Sequence, residues 1–169
     1  MIPLKKQLAN IKKQHSSGNV KLANGKDMKQ IMKEEGQRLY DLIKEEIDNY
    51  YNSYSPSIYI RSYRLKEALR VDTVQQEGNK LTIRVYFDSG LSVHSSIFND
   101  DDVGDAAILI NYGWKVKSDK VPDYPRLKYY EGDGFLNRAI NRFNSINLYG
   151  LKVHVHSEWD GQIVEDYER

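Results

Sequence analysis

The chain has 169 residues, 29% of them charged and 40% hydrophobic, with a formal net charge of +1. This fits one soluble domain with a substantial core, and the absence of cysteine excludes disulfides and thiolate chemistry and suits a reducing cytoplasm. No apolar run approaches the ~20 residues needed to cross a bilayer, and the stretch from Met1 to Lys6 lacks the apolar core of a secretory signal.

The charge is unevenly spread. Residues 1–33 hold eight lysines and one acid, Asp27, whereas the rest holds 17 basic and 23 acidic residues. Residues 1–25 carry Lys5, Lys6, Lys12, Lys13 and Lys21, no acid, and weak helical spacing at Leu4, Leu8 and Ile11. Such a segment cannot bury enough apolar surface to offset its ordering entropy, which predicts a flexible basic arm. A basic arm on an acidic body suits nucleic acid or a neighbour's acidic face. The first arginine is Arg38, so the arm lacks the bidentate phosphate readers that nucleic-acid sites favour.

From about Asp27 to Tyr51, Ile31, Leu39, Ile43, Ile47 and Tyr50 trace an amphipathic helix, with Ile43, Ile47 and Tyr50 spaced i, i+4, i+7. Gly36 is its weak point, at about 1 kcal/mol against alanine. Lys33, Glu34, Arg38, Glu45 and Asp48 form the opposite face, where Glu34 and Arg38 are a favourable i, i+4 pair and the charges need do no more than solvate the helix. Residues 50–65 follow, with five tyrosines and one proline. Asn52, Ser53 and Ser55 favour leaving a helix, and Pro56 suits the first turn of a new one. A sharp corner and a second helix over residues 57–69 are expected. The tyrosines read as packing rings with wet hydroxyls, or as an aromatic contact surface between subunits.

Residues 72–77 and 81–88 form a hairpin candidate around Glu77-Gly78-Asn79-Lys80, with Leu81, Ile83, Val85 and Phe87 on one face. A polar loop runs to Gly104. Asp105 is placed to cap a short helix through Ala106, Ala107, Ile110 and Asn111, ended by Gly113. Trp114–Lys117 and Arg126–Tyr130 alternate like two strands of a ribbon whose tip holds Pro122 and Pro125. Gly132-Asp133-Gly134 opens another helix, with Phe135, Leu136, Ala139, Ile140 and Phe143 as its stripe and Arg138 and Arg142 on its wet face. Leu151 to His156 alternate like a strand, and residues 157–169 read as a polar tail. The order predicts an α+β fold: a long N-terminal helix and short helices packed on a mainly antiparallel sheet of about five strands, with one domain over residues 26–156.

Patterns that suggest chemistry are weak. His154 and His156 share a strand face with Glu158, but a third firm ligand is missing. Asp100, Asp101, Asp102 and Asp105 lack the spaced ligands of a calcium loop. Ser95 and Ser96 near His94 have no nucleophile elbow, and the glycines around Asp133 lack a phosphate loop's Lys-Ser/Thr pair. The sequence therefore predicts no catalytic residue, metal or cofactor, and leaves a metal hydrolase as a remote reading.

Three stretches carry a family resemblance. They are YYNSYSP-x-x-Y-x-R-S-Y-x-L (residues 50–65), LINYGWKVK (109–117) and YYEGDGFLNRAINRFNSINLYGLKVHV (129–155). In this order they resemble the neck and tail-completion (head–tail joining) proteins of long-tailed phages and prophages; the family's usual threonine after the arginine is Ser62 here. The resemblance implies a long helix against a small sheet. It also implies a structural virion protein made in the host bacterial cytoplasm. Such proteins form a ring of identical copies between the head connector and the tail-terminator or tail-tube proteins, and DNA passes the lumen without sequence-specific binding or any membrane contact. Tyr54, Tyr59, Arg61, Tyr63, Trp114, Tyr129, Tyr130 and the lysine arm are then the interface candidates. A different class remains open: a small nucleic-acid-binding module acting through the lysine-rich arm.

Overall fold

The computed structural model describes residues 27–53, 63–95, 103–115, 129–159 and 162–169, with backbone alone at His94, Ser95, Val103, Trp114, Lys115, Tyr129, Tyr130 and Trp159. The chain mixes helix and strand, with one long helix early in the sequence and small antiparallel sheets. Its described residues fall into two compact units. The first holds residues 27–40 and 70–86, and the second holds residues 41–69 and 87–169.

Helix α1 spans Met28–Ser53 and contributes to both units. Asp27 starts it: its carboxylate accepts from the Gln30 N–H at 2.7 Å and its carbonyl from Ile31 at 3.1 Å. The expected stripe is buried at Ile31, Ile43, Ile47 and Tyr50 and half-buried at Leu39, and Tyr51 is buried next to it. Arg38 bonds Glu35, one turn away, at 2.8 Å.

In the first unit, β2 (Gln75–Glu77) and β3 (Lys80–Thr82) pair antiparallel around Gly78-Asn79. Gly78 adopts φ 57°, a left-handed conformation that a tight hairpin turn needs and glycine takes without strain. The expected strand over residues 81–88 is interrupted at Ile83-Arg84. Its second half is β4 (Val85–Phe87), which pairs with β1 (Leu69–Val71). Beside this ladder the Asp72 N–H bonds the Arg84 carbonyl at 2.8 Å and Arg84 meets the Asp72 carboxylate. Gly36 is buried: a methyl there would stand 3.0 Å from both Cγ1 and Cγ2 of Ile83 and nearer still to Cδ1. The helix's weak residue is thus where Ile83 packs on its backbone.

In the second unit, α2 is Arg64–Ala68, shorter than the helix expected over residues 57–69. Residues 57–62 lie outside the described residues, and Leu69 already begins β1. The polar stretch after Phe87 contains a short helix, α3 (Ser89–Ser92), whose Asp88 cap accepts from Gly90, and the pair β5 (Val93–Ser95) and β6 (Val103–Asp105). Asp105 caps α4 (Ala106–Tyr112) as expected, accepting from the N–H groups of Ala107 and Ile108. The Ser92 hydroxyl donates to its other oxygen, so this buried carboxylate is fully answered. β7 (Gly113–Lys115) pairs with β8 (Tyr129–Glu131), setting Trp114 opposite Tyr130 and Lys115 opposite Tyr129. The remainder of that expected ribbon, with its proline tip, lies outside the described residues.

Helix α5 (Phe135–Ser145) buries Phe135, Ala139, Ile140 and Phe143, and Phe135 meets Phe87 edge-on at 6.0 Å. Its first turn is capped from another helix. Gly134 has no side chain, so Asn111 of α4 accepts the Leu136 N–H at 2.9 Å. That approach needs Gly132, because a β-carbon there would sit 2.6 Å from the Gly113 nitrogen.

Residues 157–169 are a correction to the expected polar tail. β9 (His154–Trp159) and β10 (Gln162–Glu168) form the longest ladder among the described residues. The Val153 and Arg169 backbones extend it with two 2.7 Å bonds. The polar composition belongs to a two-stranded ribbon with a wet face. Its other face holds buried Val155, Ser157 near the Tyr112 hydroxyl at 3.3 Å, and Tyr167 donating to Asn137 at 2.9 Å. The described strands pair two by two in five ladders.

Candidate assembly surface

Of the tyrosine-rich stretch over residues 50–65, the structure describes the two flanks, residues 50–53 and 63–65. Tyr50 and Tyr51 close α1 with ring centroids 5.6 Å apart. Tyr63, on the far side of the corner, meets Tyr51 edge-to-face at 4.9 Å and 79°. Tyr51 is buried while Tyr63 remains 53% exposed. Tyr63 also has φ 57° and ψ 8°, the one left-handed non-glycine residue among those described. For a residue with a β-carbon this conformation costs about 1–2 kcal/mol, and the Tyr51 contact fixes the ring there. Next to it, Lys66 bonds both oxygens of Asp48 at 2.6 and 2.7 Å. A ring contact and an ion pair thus tie the end of α1 to the start of α2, with Tyr63 half-exposed.

Of the other interface candidates, Tyr54, Tyr59, Arg61 and the lysines Lys5, Lys6, Lys12, Lys13 and Lys21 lie outside the described residues. Trp114, Tyr129 and Tyr130 are brought onto adjacent strands by β7 and β8. Residues 100–102 and 96 also lie outside; Asp105 is committed to its cap.

A second polar centre was hidden in the sequence. Glu46 is buried, with its side chain only 6% exposed, and accepts from Arg138 Nε at 2.8 Å and Arg142 Nη1 at 2.7 Å. Arg138 also reaches Asp133 at 2.6 Å and Arg142 reaches Glu45 at 2.9 Å. Burial pushes the Glu46 carboxyl up, but the hydrogen bonds and charges of the two guanidiniums together outweigh it and leave it below the ordinary range. The arginines expected only to wet α5 therefore clamp α5 to α1, and Glu45 and Asp48 hold partners rather than merely solvating the helix. The signal was available: Glu46 lies three residues after Ile43 and four before Tyr50, on the apolar stripe, and Arg138 and Arg142 are spaced i, i+4.

His154 and His156 do face solvent, as the alternation predicts. Both lie beside Asp166 of β10: His154 Nε2 contacts Oδ1, and His156 Nδ1 is 3.8 Å from Oδ2, with Glu158 3.5 Å from His156 Nε2. Among the described residues no group of three or more His, Cys, Asp or Glu is arranged to hold a metal ion, and no helix is long and apolar enough to cross a membrane. Burial raises the Tyr112 phenol, which the Ser157 hydroxyl only partly offsets, so it stays protonated near neutral pH.

The described chain is a mixed α and β protein whose helices are joined by ion pairs and capped across elements, with Tyr63 exposed beside buried Tyr51. Comparisons with models of known protein families, with curated proteins and with solved structures give no match.

Proposed function

We propose that the chain is a structural protein of the phage neck, a head–tail joining component whose copies close into a ring that DNA threads. The ordered resemblance over residues 50–65, 109–117 and 129–155 supports this reading. The observation that carries it is Tyr63, held half-exposed against Tyr51 within that motif. An exposed tyrosine already fixed by its neighbours loses little entropy on contact, as a recurring subunit interface needs. A ring repeats one heterologous contact until it closes. The mechanism is assembly, with no catalytic, metal or cofactor role; the partners are further copies, a head connector, and a tail-terminator or tail-tube protein, in the virion. The reading includes the finer expectation of one mainly antiparallel sheet of about five strands.

The five lysines of residues 1–25 favour the second reading, a nucleic-acid-binding module. Deletion of residues 1–25 separates the two. The neck reading expects an unchanged circular dichroism spectrum, impaired assembly with the neighbouring neck or tail protein, and negligible DNA affinity with or without the deletion. Tight DNA binding by the full chain, lost on deletion while assembly is unaffected, replaces it with the nucleic-acid reading. Particles carrying a single copy of the chain would also overturn the ring.

A further inference from the structure

The wet face of the β9–β10 ribbon carries an exposed isoleucine among acidic side chains. Cross-strand partners share a face, so Ile163, paired with Glu158, joins His156 and its partner Asp166, then His154 and its partner Glu168. Ile163 is 63% exposed, and Val164, the extra residue at the bulge in β10, is also exposed. Lys152 answers Glu168 at 3.1 Å, while Arg169 is turned to the Tyr167 ring and Asn141. Among the described residues the ion-pair neighbours of Glu158 and Asp166 on this face are His154 and His156. β10 carries Glu165, Asp166, Glu168 and a bulge, which discourage pairing with a like strand but not with a basic segment, and among the described residues no strand pairs with its outer edge. The face thus offers an isoleucine anchor beside two carboxylates and an open strand edge.

Residues 1–25 have the complementary chemistry: five lysines, no acid, and aliphatic residues Leu4, Leu8 and Ile11 between them. We propose that the β9–β10 ribbon is the docking surface for the lysine-rich residues 1–25 of a neighbouring copy. Lysines meet Glu158 and Asp166, and an aliphatic residue of the arm covers Ile163. This rests on the ring reading for the identity of the neighbour, and it assigns the ribbon as the receiving side of one subunit contact.

The cysteine-free chain allows a direct test. Full-length chains carrying Gln14→Cys are mixed with full-length chains carrying Gln162→Cys, oxidised, and the mixed disulfide is quantified while native mass measurement follows oligomers. The mixed species should dominate over either self-pair and be suppressed by excess peptide of residues 1–25. It should fall about tenfold in Glu158→Gln/Asp166→Asn chains or at about 0.5 M salt. Ile163→Ser should also lower it, and the spectrum of each variant, unchanged from the parent, keeps the comparison valid. If the ribbon variants change nothing while oligomers persist, the docking surface is wrong and the ring reading stands. If neither oligomers nor mixed disulfides form, both fail. A chain carrying both cysteines that closes on itself at high dilution assigns the ribbon to its own arm and overturns the proposal.

Discussion

Replacing Glu46 by glutamine tests whether the α1–α5 clamp is a net contributor to stability. The substitution removes the negative charge and turns one acceptor into a donor aimed at a guanidinium. Two hydrogen bonds of 2.8 and 2.7 Å, each with both partners ionised, are weakened or lost. Charge-assisted bonds contribute about 1.5–3 kcal/mol each. The arginine side chains are 43% and 42% exposed and keep Asp133 and Glu45, so solvent and the remaining acids absorb part of the loss. The net expectation is about 2–3 kcal/mol, a fall of roughly 5–10 °C in Tm for a chain of this size. Because the folded Glu46 carboxyl lies below its ordinary value, its contribution is fully present above about pH 4.3 and is lost as pH falls through the folded value. Urea titrations at pH 7 and in acid should therefore show the parent losing more stability than Glu46→Gln, at unchanged slope. Arg138→Met/Arg142→Met leaves burial to act alone; the carboxyl then rises, and that variant should lose stability as pH increases through the ordinary glutamate value. If Glu46→Gln matches the parent within about 0.5 kcal/mol at pH 7, with the same acid sensitivity, the clamp contributes nothing.

Gly36→Ala should destabilise even though alanine favours helix by about 1 kcal/mol, because overpacking against Ile83 costs about 1–3 kcal/mol. Ile83→Val in the same chain should recover part of the loss in a double-mutant cycle, and a higher urea midpoint for Gly36→Ala alone would refute the packing argument. Asn111→Ala removes the cap of α5 and should cost about 1 kcal/mol, with faster amide exchange at Leu136 as the local sign; unchanged exchange there contradicts the cross-element cap. Tyr63→Asn keeps a residue that tolerates the left-handed backbone and removes the ring, so the fold should survive while ring assembly weakens. Wild-type assembly from that variant would take Tyr63 out of the interface.

The sequence by itself determined what local chemistry controls. Asp27 and Asp105 start helices, Gly113 ends one, Gly78-Asn79 turns a hairpin, and the stripes of α1 and α5 mark their buried sides, because each signal lies within a few residues of its effect. The tertiary structure decided what depends on residues far apart in the chain. Arg138 and Arg142 look like solvated positions until α5 lies along α1 and finds Glu46, 92 and 96 residues earlier. Gly36 looks like a weak helical residue until Ile83 occupies the space a methyl would take. Residues 157–169 look like a tail because half of a two-stranded ribbon faces water; only the pairing of β10 with β9 distinguishes them from one. In the proposed assembly surface, the tyrosines and lysines could be read from composition, but the exposure of Tyr63 and the isoleucine–carboxylate face of β9 and β10 arise from register and backbone conformation. Those are set by partners across the fold, which a window along the sequence does not contain.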